Sequence, residues 1–398
     1  MKYLVLVPDG VADEPLKELG GKTPLEAART PNMDQMAKEG LSGLVRTIPE
    51  GMAPGSDVGN LSVLGYNPRL NFSGRAPLEA ANLGIILKGN EIAFRCNLVT
   101  VRDNTMIDYS SGHISVDEAA EIMKTIDEKF SDDVVKFYVG KSYRHIAVVK
   151  AEKVADFQKI KCTPPHDIMG QKIDSYLPSG ARASVLIDYM ERAKPVLQNH
   201  PVNQLRLGLK KEPATMLWFW GQGTKPDLQT FKERFGLEGS VISAVDLVNG
   251  IARLTGLTII NVPGATGYYD TNYAGKAEYA LDSLKTRDFI FVHVEATDEA
   301  GHNGDARAKI EAIENFDREI VGRALDYGRK HKDVRILVTP DHPTPVAKRT
   351  HTSAPVPFVM CGKNIESNGL GSYNELSAQA VGIRFASGED MIKYFLKG

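Results

Sequence analysis

Three short stretches carry most of the side chains whose types and spacing could bind a metal. Asp9 stands in Pro8-Asp9-Gly10, directly after the apolar run Lys2–Val7. Asp298 and His302 follow the run Asp288–Glu295 (DFIFVHVE), inside Glu295-Ala296-Thr297-Asp298-Glu299-Ala300-Gly301-His302. Asp341 and His342 follow Val334–Thr339 (VRILVT), and His351 comes a little later in Arg349-Thr350-His351-Thr352. Three carboxylates and three imidazoles, with no cysteine among them, suit Mn, Mg, Zn or Fe and argue against a thiolate zinc site. Asp298 and His302 are spaced to share one face of a helical turn. Asp341 and His342 are adjacent, so only irregular backbone can aim both inward. Six such donors exceed what one catalytic ion takes, and we read two ions. Singly, each residue has a plainer use. An aspartate after a strand caps a helix or forms a turn, and a lone histidine is commonly a surface or satisfied core residue. The joint placement carries the metal reading.

Ser56 is the candidate nucleophile. It lies in Pro54-Gly55-Ser56-Asp57 at the start of an expected helix. A hydroxyl there can face a metal, which lowers its pKa, and a phosphoryl group on it would meet helix N-terminal N–H groups. The alternative is a plain N-cap serine.

These donors need elements to position them. Lys2–Val7, Leu257–Val262, Asp288–Glu295 and Val334–Thr339 read as short apolar strands. Helical patterns at Thr23–Gly40, broken at Thr30-Pro31-Asn32, and at Ala306–Lys330 accompany them. Such runs separated by helices predict an α/β fold with a mostly parallel sheet covered on both faces. Ligands of such sheets bind beyond the carboxyl ends of the strands, where Asp9, Asp298 and Asp341 stand. From about residue 85 to 235 the pattern changes to alternating runs (Glu91–Val101, His145–Val149) between helices (Val116–Phe130, Ala181–Arg192). We expect a core domain of residues 1–84 and 236–398, and an inserted α/β or α+β domain of residues 85–235.

Composition narrows the class. The 398 residues carry 48 Lys+Arg against 50 Asp+Glu, a net charge of −2, with no basic block, which argues against a dedicated nucleic-acid binder. No stretch approaches a membrane span. The apolar start stops at Pro8, too early for a signal peptide. Cys96, Cys162 and Cys361 are too few and too scattered for a disulfide framework. The expectation is a soluble, cytoplasmic protein; its oligomeric state is not legible.

Taken together, Pro8-Asp9-Gly10, the Pro54-Gly55-Ser56-Asp57 loop running into Leu64-Gly65-Tyr66, and Val262-Pro263-Gly264-Ala265-Thr266-Gly267 with Asp270-Thr271-Asn272-Tyr273 form one motif set with Ala296–His302 and Asp341-His342-Pro343-Thr344-Pro345. This set resembles the archaeal-type, 2,3-bisphosphoglycerate-independent phosphoglycerate mutases of the alkaline phosphatase superfamily. The resemblance implies a phosphatase-like core with an inserted substrate domain. It implies that Asp9, Ser56, Asp341 and His342 hold one divalent metal, and Asp298, His302 and His351 the other; carboxylate plus imidazole donors favour Mn or Mg, with Zn possible. It implies interconversion of 3-phosphoglycerate and 2-phosphoglycerate through a phosphoserine at Ser56, a step of glycolysis and gluconeogenesis on a small phosphorylated metabolite.

The inserted domain should then supply cations for carboxylate and phosphate, which arginine grips bidentately. Arg144, His145 and His166 are the first candidates, then His113, Arg102 and Arg182, with Arg95 and Lys141 nearby. Trp218-Phe219-Trp220 reads as a buried strand. Two segments depart from the archaeal pattern. Met106–His113 offers Tyr109 and His113 where that family has an arginine-rich turn, and Gly221-Gln222-Gly223 lacks an arginine. In this the chain is similar to a bacterial branch proposed as homoserine kinases. A homoserine phosphotransferase is therefore the alternative, although no Walker-type loop is present. A phosphate or phosphonate ester hydrolase is the third reading.

Overall fold

The computed structural model describes residues 1–397, which form two compact units, Met1–Phe72 with Asp227 onward, and Ser73–Pro226. The strands, in chain order, are β1 (Lys2–Pro8), β2 (Leu41–Val45), β3 (Glu91–Arg102), β4 (Thr105–Asp108), β5 (Val135–Lys141), β6 (Arg144–Lys150), β7 (Met216–Thr224), β8 (Gly239–Ile242), β9 (Thr258–Ile259), β10 (Phe289–Val294), β11 (Val334–Val338), β12 (Val356–Gly362) and β13 (Arg384–Phe385).

The first unit is built on a mixed, mostly parallel sheet in the order β13-β2-β12-β11-β1-β10-β8-β9. β1 lies between β11 and β10 and is parallel to both, with Leu4 level with Ile336 on one side and Ile290 on the other. Every residue of β10 and β11 is buried, as strands covered on both faces require. One face packs Leu4, Leu6, Ile290, Val292, Ile336 and Val338 against Met33, Met36, Phe316 and Ile320 from the helices. Each such side chain contributes about 1.5–3 kcal/mol on burial. Because β11, β1 and β10 are neighbours and parallel, their carboxyl ends share one edge. That single fact brings Asp9, Asp298 and Asp341 together.

The expected helix Ala306–Lys330 is continuous but carries a π-helical turn at Asp317–Val321. There Asp317 accepts from the backbone N–H groups of Asn32 and Met33 (3.2 and 2.7 Å), capping the helix Pro31–Glu39. The expected strand Leu257–Val262 is only the two-residue β9, paired with β8 at the sheet's edge. Strands β2, β8, β12 and β13 of this sheet are additional to those read from the sequence. β2 and β12 bring the antiparallel pairings of this sheet, β12 with both β11 and β2.

The second unit is an antiparallel sheet with β3 at its centre, between β6 and β7. Alternation along β3 divides its faces. Ile92, Phe94, Cys96 and Leu98 enter a core closed by the helices Val116–Phe130 and Ala183–Gln198, whereas Ala93 joins Ile146 and Val148 under the helix Arg75–Asn82. That helix packs on β3 and β7, so the division falls at Phe72/Ser73. At the other end Phe231 stacks on Phe289 of β10, 4.4 Å between centroids, and belongs to the first unit. Among the described residues no helix is long and apolar enough to cross a membrane, and the three cysteines are unbridged.

Candidate functional site

Asp9 leaves the end of β1 with no solvent exposure, and neither carboxylate oxygen has a hydrogen-bond partner. Asp341 and His342 follow β11 and are equally buried. Asp341 is pinned by Asn60 Nδ2 at 2.8 Å and by the N–H of Gly10 at 3.3 Å. Asp298 and His302 lie on the helix Ala296–Asn303 that follows β10, with His302 Nε2 3.2 Å from Asp298 Oδ2. His351 closes the group, its Nε2 2.9 Å from His302 Nε2 and 3.6 Å from Asp298 Oδ1. Ser56 is the first residue of the helix Ser56–Val63 rather than its cap, and makes no capping hydrogen bond. Its hydroxyl lies 3.2 Å from His342 Nε2. All seven residues expected around the metals therefore meet in one pit of the first unit.

Two further residues join them that the sequence reading passed over. His293, inside β10, brings Nε2 to 2.9 Å from Asp9 Oδ2, and Glu295, directly after that strand at the cap of the next helix, places Oε2 3.7 Å from His293 Nδ1. The signal was in the DFIFVHVE run: an imidazole in an otherwise apolar buried strand needs a polar reason to be there.

The electrostatics are those of a crowded anionic pit. Burial pushes Asp9 well above the usual carboxylate range, and Asp341, Glu295 and Asp298 add to it. Burial also raises Glu295, to about 8, with Asp298 next in effect. Burial lifts Asp298 too, but hydrogen bonds with His302 and His351 outweigh it and hold Asp298 well below its ordinary value. The Asp298 hydrogen bond raises His302 to about 9, while burial drives His293 down to about 4.

The donor set fits divalent cations. Ligand atoms of Asp298, His342 and His351, of Asp9, His293 and Asp341, and of Asp9, Glu295 and Asp298 each lie within 4.8 Å of one another. The unpartnered oxygens of Asp9 and Oε2 of Glu295 are acceptors left without donors, a costly state that a cation relieves. His302 Nδ1 lies 3.1 Å from the carbonyl of Arg349, which can only accept. In the neutral ring Nδ1 is thus the protonated nitrogen, and Nε2 is left with its lone pair aimed into the pit.

In the second unit the expected substrate residues separate. Arg144 and Arg95 lie on the same face of the sheet, Arg95 level with Ile146 and Arg144 level with Asn97. The Arg95 guanidinium lies over Trp220 at 4.2 Å and pairs with Glu79 at 2.9 Å. His166 meets the edge of Trp220 at 5.3 Å, Tyr109 approaches both His166 and Tyr143, and Arg144 lies over Tyr143 at 5.1 Å. Burial lowers the Arg95 pKa, and the neighbouring cations Arg75 and Arg144 lower it further. Gly221, at φ +62°, leaves room for the Arg95 stem, since a Cβ there would come 3.3 Å from Cδ. His145 is level with Cys96 and so faces the opposite, apolar side, where burial takes it down to about 3. Arg102 pairs with Glu212 at 2.5 Å, and Arg182 and His113 are exposed. Those four do not join the Arg95–Trp220 cluster by any contact described. Trp218, Phe219 and Trp220 form part of buried β7, as expected.

Fold and donor set define an α/β protein with a cluster of carboxylates and imidazoles, fit for divalent metals, at the carboxyl edge of its sheet. The family model for 2,3-bisphosphoglycerate-independent phosphoglycerate mutase matches residues 37–203. Over 399 residues, and the whole of both chains, this chain is 49% identical to the 2,3-bisphosphoglycerate-independent phosphoglycerate mutase of Methanothrix thermoacetophila. It is 49% identical over 401 residues, again the whole of both, to a probable mutase of that name from Geobacter sulfurreducens. A solved protein from Pyrococcus horikoshii superposes with a TM-score of 0.84 at 30% identity, covering 99% of this chain and 96% of that one. The cofactor-independent phosphoglycerate mutase of Thermoplasma acidophilum gives 0.68 at 26% identity, covering 100% and 99%. The chain belongs to the 2,3-bisphosphoglycerate-independent phosphoglycerate mutase family, as its motifs imply.

Proposed function

We propose that the chain interconverts 3-phosphoglycerate and 2-phosphoglycerate without 2,3-bisphosphoglycerate, through a phosphoserine at Ser56. The observation that carries this is the Ser56 hydroxyl, free of any capping role and 3.2 Å from His342 Nε2 in a pit of metal donors. Asp9, Ser56, Asp341 and His342 would hold one divalent cation, and Asp298, His302 and His351 a second, with Mn or Mg favoured and Zn the other option. Bound there, such cations lower the pKa of a hydroxyl and offset charge that builds on a phosphoryl group in transfer.

The chain's own residues do the rest. Ser56 Oγ bonds to phosphorus as the bond from phosphorus to the substrate's O3 breaks, and the serine proton ends on O3. Glycerate then presents O2, the Oγ–P bond breaks as O2–P forms, and Ser56 regains a proton. The reaction is balanced without a co-substrate. The N–H groups opening the helix Ser56–Val63 favour the dianion formed on Ser56. Arg144, Arg95 and His166 form the cationic, aromatic-backed surface suited to a carboxylate or phosphate.

The test is phosphorus NMR of the purified chain with Mn²⁺ and 3-phosphoglycerate, the metal chelated before the spectrum. Appearance of 2-phosphoglycerate without matching free phosphate is expected. Free phosphate as the main product would make the chain a hydrolase. An unchanged spectrum would overturn the mutase reading and turn attention to ATP and homoserine.

A further inference from the structure

Thr344 lies between the two proposed ligand sets, and the reading above does not use it. Its side chain is fully buried. Its hydroxyl donates to Asp298 Oδ1 and lies 3.3 Å from His342 Nδ1. A hydroxyl has one proton, and a carboxylate only accepts. With that proton committed to Asp298, the second contact requires Nδ1–H of His342 to donate to the threonine oxygen. The lone pair of the neutral ring then sits on Nε2. That atom faces Ser56 Oγ at 3.2 Å and Asp9 Oδ1 and Asp341 Oδ2, each at 3.4 Å. One side chain thus orients a carboxylate of one set and selects the tautomer of an imidazole in the other.

Thr344 is itself held from behind. Its N–H reaches the carbonyls of Gly10 and Ala12, both at 3.2 Å. Its carbonyl accepts from Lys309 Nζ at 2.8 Å, and the same ammonium pairs with Asp13 Oδ2 at 2.7 Å, both side chains being wholly buried. Asp13 in turn accepts from the N–H of Val346 at 3.1 Å. A buried ion pair is weak evidence for stability, but this one spends its hydrogen bonds on both sides of a single loop, at residues 344 and 346. Gly10 closes the packing. It has φ +60°, and a Cβ there would come within 2.5 Å of both Asp298 Oδ1 and Thr344 Oγ1.

We propose that Thr344, anchored by the Lys309–Asp13 pair, is the positioning residue that couples the two metal-ligand sets by orienting Asp298 and fixing the Nδ1–H tautomer of His342. The proposal rests on the metal reading above. The test is a Mn²⁺ titration of the metal-stripped full chain, with free Mn²⁺ read by electron paramagnetic resonance. Wild type binds Mn²⁺. Thr344→Val, which keeps the shape and removes the hydroxyl, should bind about ten- to a hundredfold more weakly, whereas Thr344→Ser stays close to wild type. Nitrogen NMR of metal-free protein should find His342 as Nδ1–H in wild type and in Thr344→Ser, with that preference lost in Thr344→Val. Thr344→Val with wild-type Mn²⁺ affinity and an unchanged His342 tautomer would overturn the proposal. Should Thr344→Val not fold, the joint exchange Lys309→Met with Asp13→Leu removes both charges of the pair together. It should weaken Mn²⁺ binding in the same direction, and unchanged binding there would count against the anchor. A wild-type chain that binds no Mn²⁺ would sink the metal reading and this proposal with it.

Discussion

The two units handle charge in opposite ways. In the first, Asp9, Asp298, Asp341 and Glu295 are drawn into one buried pit at the ends of strands, and several of their oxygens have no donor. In the second, Arg95, Arg144 and His166 lie against aromatic rings at the side of a sheet, where Arg144 stays exposed. Clustered buried carboxylates repel and are desolvated, so the first arrangement is stable only with protons or cations among them. Guanidinium groups on ring faces are content without a ligand. The first unit thus needs a counter-charge in its pit, whereas the cations of the second rest on aromatic rings without one. Under the proposed function, chemistry would fall to the unit holding the buried carboxylates and imidazoles, and recognition to the unit whose cations sit on aromatic side chains.

The largest effect separates the two roles outright. Ser56→Ala removes the oxygen that takes the phosphoryl group and should lower mutase activity on the order of 10⁴-fold or more. Mn²⁺ should still bind to the carboxylates and imidazoles, as counted by electron paramagnetic resonance. Residual activity within tenfold of wild type would remove Ser56 from the mechanism and leave the pit as a metal site of another purpose.

Next in size is the response of the pit to pH without metal. Burial raises Glu295 to about 8, and the Asp298 hydrogen bond raises His302 to about 9. Both groups hold protons in the folded state that the unfolded chain has released, so between pH 6.5 and 8 each contributes stability that is lost as pH rises. His293 works the other way, but below that window: depressed to about 4, it costs stability as pH falls from 6.5. Metal-stripped protein should therefore melt at a lower temperature at pH 8 than at pH 6.5. Cations replace the protons, so the melting-temperature gain on adding Mn²⁺ should widen over the same interval. At a hundredfold excess over its dissociation constant the metal contributes about 2.7 kcal/mol. A flat melting temperature for the metal-free chain, measured by scanning calorimetry, would mean the carboxylates are not crowded as described.

The contrast between the units also explains what could be read from the sequence. Asp9, Asp298, His302, Asp341, His342 and His351 stand in the loops or the helix that follow the strands, where an acidic or imidazole group after an apolar run is conspicuous. Parallel strands then force most of them to one edge, so a one-dimensional pattern implies a three-dimensional meeting. His293 escaped because it belongs to the strand itself, where only the sheet's register reveals which neighbours it faces; Glu295, directly after the strand, stood in plain view and was passed over for Asp298. In the second unit register decides nearly everything. Arg144 and His145 are adjacent, yet the pleat sends one toward Arg95 and the other into the core. No local signal distinguishes them, and a bulge between Ala93 and Arg95 shifts the pairing with β7 as well. The same limit applies to Thr344, whose weight comes from contacts with Lys309, Asp298 and His342 rather than from its place in Asp-His-Pro-Thr-Pro.

The smallest predicted effects test whether the second unit's cations differ among themselves. Arg144 and Arg102 are both exposed arginines on the same sheet, so composition and burial treat them alike. Their neighbours do not. Arg144 lies over Tyr143 with no carboxylate partner among the described ion pairs, while Arg102 is paired with Glu212 at 2.5 Å. A charge-assisted hydrogen bond to a substrate anion is worth about 1.5–3 kcal/mol, so Arg144→Ala should raise KM for phosphoglycerate by roughly tenfold or more with kcat little changed. Arg102→Ala loses only an exposed pair, worth at most about 1 kcal/mol of stability, and should leave both constants alone. Equal KM changes in the two variants would mean that net positive charge, rather than the Arg95–Trp220 cluster, attracts the substrate. That result would also predict a KM that climbs with salt in wild type and in both variants alike.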